Sequence, residues 1–171
     1  MSTETERLQM LLKSARKHRD AVDTEPLALR AIEQVLEIDP AHPEALAILS
    51  DTFEARRDWK AFIAVCKQQL SLDLPVATQS KILFRLGAVY DSEENQPALA
   101  EQCYLEANAR AYNQNALRCL RRMYLAQNNA SGVRWTLERE LENTTDEAER
   151  AAIEKSLRAV AGVSFTDLPT T

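Results

Sequence analysis

Residues 80–112, SKILFRLGAVYDSEENQPALAEQCYLEANARAY, decide how the rest of the chain is read. Ile82, Leu83, Leu86 and Tyr90 recur at helical spacing and form one apolar stripe. A polar break follows, and then Pro97 opens a second stripe of Leu99, Cys103 and Leu105 to Ala107. Proline suits a first helical turn, where its missing N–H has no partner to lose. The stretch therefore predicts two helices joined by a short connection, a hairpin with one apolar side.

Outward from this hairpin the same period continues. Leu8, Leu11, Leu12 and Ala15 form a stripe, as do Leu29, Ile32 and Leu36, then Leu46, Leu49 and Phe53, then Phe62, Val65, Cys66 and Leu70. Downstream come Leu117, Leu120 and Tyr124, then Val133, Leu137 and Leu141, and last Ile153, Leu157 and Val160. No run alternates as a strand does, so nine helices are expected. The breaks carry boundary chemistry: Pro26 and Pro43 as first-turn prolines, Asp58 and Asn113 as N-caps, and Thr144 to Glu147 as a capping box. Gly162 is placed as the C-terminal cap of the last helix, followed by a loose tail.

The stripes repeat. A shift of 71 residues lays Leu46, Leu49 and Phe53 on Leu117, Leu120 and Tyr124. It also lays Phe62, Cys66 and Leu70 on Val133, Leu137 and Leu141, and Ile82, Leu86 and Val89 on Ile153, Leu157 and Val160. A shift of 72 pairs Ala15 with Gly87, Ala28 with Ala100 and Ile32 with Tyr104. Hairpins recur every 34 to 37 residues, the signature of a helical repeat array, in which each unit hides its apolar face against the next.

Within that register the residues resemble the tetratricopeptide repeat. Residues 80–112 carry Leu83, Leu86, Gly87, Tyr90, Ala100, Tyr104 and Ala107 at its characteristic positions, with one inserted residue. Residues 43–74 carry Leu46, Leu49, Ser50, Phe53 and Asp58-Trp59, and residues 114–145 match more weakly through Leu117, Leu120 and Tyr124. The resemblance implies an all-α, right-handed superhelix over 1–162, with hairpins at about 4–40, 43–74, 76–112 and 113–143, a capping helix at 146–161 and a flexible tail at 163–171. The capping helix would turn Glu147, Arg150, Glu154 and Arg158 outward. Departures from the pattern are Phe62 and Val133 at a small position, Arg121 at another, and Glu140 where alanine is usual. They weigh on the helix crossings of the second and fourth hairpins. The chain reads equally as a complete small protein or as a slice of a longer array.

Composition removes several classes of function. Three glycines in 171 residues leave no phosphate-cradling loop. His18, His42 and three scattered cysteines have no zinc spacing, so no metal or cofactor is expected. A net charge of −5 argues against nucleic acid as the partner. No stretch reaches the roughly 18 apolar residues of a membrane span, and the charged N-terminus is not a secretory signal. The cytoplasm is expected, which leaves the sequons at Asn129 and Asn143 without meaning. Cys66 and Cys103 read as small buried hydrophobes. Glu93 and Glu94 read as solvated connection charges, and no acid–base or nucleophile arrangement suggests an enzyme.

The resemblance instead implies a protein-binding adaptor or scaffold, holding a peptide segment of a partner on a concave face made by the first helices. The contact positions correspond to Glu44, Ala47, Asp51 and Glu54 in one hairpin. They correspond to Lys81, Phe84, Ala88 and Asp91 in the next, and to Asn115, Arg118, Arg122 and Leu125 in the last. Phe84, off its core stripe, reads as an apolar anchor, and Arg118, Arg121 and Arg122 as a basic seat for carboxylates. Trp59 and Trp135 are expected to pack between hairpins. The rival readings are a secretion-type chaperone, nucleic-acid binding through the arginine cluster, and self-assembly through the terminal hairpins.

Overall fold

The computed structural model describes residues 2–18 and 25–162. Among them every regular element is α-helical, and there are nine helices. They divide into two compact units between Pro75 and Val76. The first holds α1 (Ser2–His18), α2 (Glu25–Ile38), α3 (Pro43–Ala55) and α4 (Trp59–Leu70). The second holds α5 (Val76–Ser92), α6 (Pro97–Arg110), α7 (Gln114–Ala126), α8 (Ala130–Asn143) and α9 (Glu147–Gly162). The segment 163–171, read as a tail, lies outside the described residues.

In the first unit α1 packs on α2, α2 on α3 and α3 on α4. Leu12, Ala15, Ile32, Val35, Ala45 and Ile48 are buried together, with Leu8, Leu11 and Leu36 against them. Phe62 on α4 is fully buried although it occupies a position where a small residue is usual. Burying a side chain of that size contributes about 2–3 kcal/mol, an upper figure because the unfolded chain already hides some apolar surface.

In the second unit α5 packs on α6, α6 on α7, α7 on α8 and α8 on α9. Gly87 lets α6 approach closely: a Cβ there would stand 2.8 Å from the ring of Tyr104, itself fully buried. The α7–α8 hairpin has its own close approach one residue before Val133. A Cβ on Gly132 would stand 2.6 Å from the Tyr124 ring.

The turns repeat as the sequence does. Arg57 and Asn128, 71 residues apart, both adopt left-handed backbone, with φ of 56° and 53°. Each closes its helix with the same pair of bonds. Asp58 N donates to Phe53 O at 2.9 Å and Arg57 N to Glu54 O at 3.0 Å. Asn129 N donates to Tyr124 O at 2.8 Å and Asn128 N to Leu125 O at 3.1 Å. Asn95 is also left-handed, but its turn is one residue longer, Gln96 N reaching Tyr90 O at 2.8 Å.

Pro43 and Pro97 are the first residues of α3 and α6, and Pro26 is the second of α2. Asp58 and Asn113 cap as their side chains imply, accepting from Ala61 N at 3.2 Å and Ala116 N at 3.1 Å. His42 is the N-cap of α3, its Nδ1 accepting from Ala45 N at 3.4 Å. The capping box is corrected: Thr144 Oγ1 donates backward to Glu140 O at 2.8 Å, and Asp146 caps α9 by accepting from Glu149 N at 2.8 Å. Two residues make the difference, because Thr144 is buried at the end of α8 and its hydroxyl satisfies a carbonyl there. α9 ends at Gly162, where the sequence places the end of the last helix, with the glycine itself inside the helix and no left-handed glycine among the described residues.

Arg150 fastens α9 to the preceding hairpin, donating to Leu141 O at 2.9 Å and Thr144 O at 2.8 Å. Under the 71-residue shift, Leu83 and Gly87, which take α6 against α5, correspond to Glu154 and Arg158. Both of these are exposed on α9, and they pair with each other at 4.0 Å. The face of α9 that would otherwise receive a further helix is thus polar.

Candidate functional site

Each unit presents its own candidate surface. In the first, the positions expected on α3 surround a cleft of about 240 Å³ lined by Arg16, Glu44, Ala47, Ile48 and Asp51. Glu44 is ion-paired with Arg16 of α1. The hydrogen bond from Arg16 holds the Glu44 carboxyl below its ordinary range. Asp51 is exposed and Glu54 half-buried. The acidic group read as facing a partner is therefore partly neutralised within the unit, by an exposed pair that water and salt screen.

In the second unit Lys81, Phe84, Asn115, Arg118 and Leu125 of the expected positions line two adjoining clefts, with Gln114 common to both, while Ala88, Asp91 and Arg122 line neither. The first cleft, about 500 Å³, is bounded by Lys81, Phe84 and Arg85 of α5 and by Tyr112, Gln114 and Asn115. Phe84 is half-buried, its ring centroid 5.9 Å from that of Tyr104, so one face packs on α6 while the residue also lines the cleft. Tyr112 is 40% exposed, which leaves a second aromatic surface open beside it. Burial, and then Glu140 and Glu149, raise the Tyr112 hydroxyl above its ordinary value, so it is a neutral donor.

A polar network fixes the rim of this cleft. Asn113 Nδ2 donates to Ser80 Oγ at 3.3 Å, and Ser80 Oγ donates to Ala111 O at 3.3 Å. Asn113 N donates to Asn108 Oδ1 at 3.1 Å. These bonds join the α6–α7 connection to α5, hold Tyr112 to Asn115 in place, and satisfy the buried Ser80 and Asn108.

The second cleft, about 540 Å³, runs between α7 and α9 and includes Arg118, Arg121 and Leu125, with Ala152, Ser156 and Ala159 opposite. Leu125 is 45% exposed. Gln114 Nε2 donates to Glu149 Oε1 across the cleft at 3.3 Å.

The basic cluster is divided by the structure. Arg122 is ion-paired with Asp91 of α5, and the Tyr104 hydroxyl donates to the same carboxylate at 3.5 Å. Burial pushes that hydroxyl well above its ordinary range, with Cys119 and Asp91 adding to the shift. Arg121 is ion-paired with Glu140, whose side chain is only 6% exposed. The two departures at 121 and 140 are thus one feature, a charge pair where the pattern has two small side chains. Arg118 and Lys81 are exposed and make no ion pair among the described residues. Ala88 is half-buried on α5.

The tryptophans differ from each other. Trp59 packs edge-on against Phe62 at 6.3 Å, with the Arg57 guanidinium 5.6 Å from its ring. Trp135 lies between α6 and α8 beside Leu105 and Ala109, yet 38% of it is exposed. The sequence expectation of packing thus holds only in part for Trp135, which lines an open cleft of about 360 Å³ with Leu105, Asn108 and Ala109 of α6 instead of being enclosed. Among the described residues, no helix is long and apolar enough to cross a membrane. No protein-family model matches the chain, and no curated protein is similar to it at a meaningful level.

Proposed function

We propose that the chain is a tetratricopeptide-repeat protein, four helical hairpins and a capping helix forming the right-handed superhelix the resemblance implies, and that it works as a non-catalytic adaptor or scaffold in the cytoplasm. A peptide segment of a partner protein lies on the face formed by the first helices, at roughly the micromolar affinity that such grooves give. One observation supports this most: in the second unit, the first-helix positions 81, 84, 115 and 118 line open clefts instead of filling the core. Aromatic and arginine side chains around a cleft are what binding hot spots use. Arg122 is the residue of this set with a different role, since its charge is taken by Asp91.

The test is site-specific photocrosslinking from lysate. A photoreactive phenylalanine analogue replaces Asn115, exposed at the cleft, or Glu106, exposed on α6. A protein crosslinked from 115 and absent from 106 supports the reading. Equal capture at both positions, or none from 115, refutes it.

A further inference from the structure

We infer that the segment held by the second unit is acidic and carries one bulky apolar anchor, an inference that rests on the adaptor reading above. Charges still open on this face point to it. Of the arginines on α7, Arg121 is taken by Glu140 and Arg122 by Asp91. Lys81 on α5 and Arg118 on α7 are exposed, line the two clefts, and have no ion-pair partner among the described residues. Of the two carboxylates lining the clefts, Glu140 is neutralised by Arg121, its Oε1 buried without a hydrogen bond, whereas exposed Glu149 accepts one bond from the neutral amide of Gln114 and keeps its charge. The face therefore offers two unanswered cations on a chain whose net charge is −5. A basic segment would meet these cations against the single unneutralised carboxylate of Glu149, whereas an acidic one is drawn to this face and repelled from most others.

The apolar part comes from the same cleft. Phe84 and Tyr112 present aromatic surface beside Ala77 and Ala111, and Lys81 stands one helical turn from Phe84. A leucine, methionine or phenylalanine of the partner would enter the cleft that both rings line, with its neighbouring carboxylate at Lys81 and a second one further along at Arg118. Paired side chains of that kind combine desolvated anchoring with charge-assisted hydrogen bonds at the rim.

The experiment uses the full chain, immobilised, and a phage-displayed library of random dodecapeptides as the probe. The expected result is enrichment of peptides with Asp or Glu beside Leu, Met or Phe. A fluorescein-labelled peptide from that set should bind about tenfold or more weakly to Lys81→Glu and to Arg118→Glu, and more weakly as salt rises. Both substitutions are at exposed positions, and unchanged circular dichroism verifies folding; Phe84→Leu, which keeps an apolar contact with Tyr104, reports the anchor. Enriched peptides that depend on Phe84 but show no acidic bias, or ignore both charge reversals, overturn this inference and leave the adaptor reading standing. No enrichment, or binding indifferent to all three variants, overturns both.

Discussion

Arg121 and Glu140 offer the sharpest test of how the fourth hairpin is held. The Glu140 side chain is 6% exposed and that of Arg121 is 26% exposed, so the pair is mostly withdrawn from water. Removing one partner of a buried pair costs about 3–5 kcal/mol, because the other charge is left without compensation. Arg121→Met keeps the length of the stem and deletes the charge. Water can follow into the quarter-open site, so its cost is set at about 2–3 kcal/mol. Glu140→Leu leaves Arg121 able to rehydrate, and should cost about 1 kcal/mol. The double variant replaces the pair by apolar side chains and should return to within about 1 kcal/mol of the parent, since such replacements are often neutral. The coupling is then about 2–4 kcal/mol, well above the roughly 0.5 kcal/mol scatter of independent sites. Each tryptophan sits in a different unit, so a Trp59→Phe background lets Trp135 fluorescence report urea unfolding of the second unit alone. At a urea slope of about 1–3 kcal/mol/M, the Arg121→Met midpoint should fall by about 1 M or more. Additive single variants, or a double variant worse than either, would show that the two residues do not act as a pair.

Gly87→Ala should destabilise the second unit by about 1–2 kcal/mol, the overpacking cost exceeding the helix-propensity gain of about 1 kcal/mol. The added Cβ meets the Tyr104 ring at 2.8 Å and Cys103 Cβ at 3.1 Å, and a midpoint unchanged in urea would refute this. Alkaline stability follows from Tyr124, whose hydroxyl is pushed from 10.0 up to about 12, first by burial and then by Glu101. Its folded value lies above the unfolded one, so its contribution is whole below pH 10 and is lost as pH rises from about 10 to about 12. Thermal midpoints should therefore fall across that window, and less steeply for Tyr124→Phe; identical slopes would contradict the assignment.

The helices were legible because their stripes have one period and their turns one chemistry. Asp58 and Asn113 cap where an oxygen three residues ahead of a free N–H must cap, and Arg57 and Asn128 turn left-handed at corresponding points of a repeat. Features that depend on two helices meeting were harder to read. Arg121 and Glu140 looked like separate departures when each was compared with a pattern, although opposite charges at the facing small positions of one hairpin carry the signal of a pair. Asp91 and Arg122 were both assigned to a partner-binding face, and they bind each other. Side chains on one face of successive helices are neighbours before they are ligand contacts. Gly132 was hidden for a related reason: the small residue demanded by a bulky Tyr124 had moved one place from where the pattern puts it. A charge on a repeat face therefore counts toward binding only after its opposite number on the adjacent helix has been sought. By that standard Lys81 and Arg118 remain, and Arg121 and Arg122 do not.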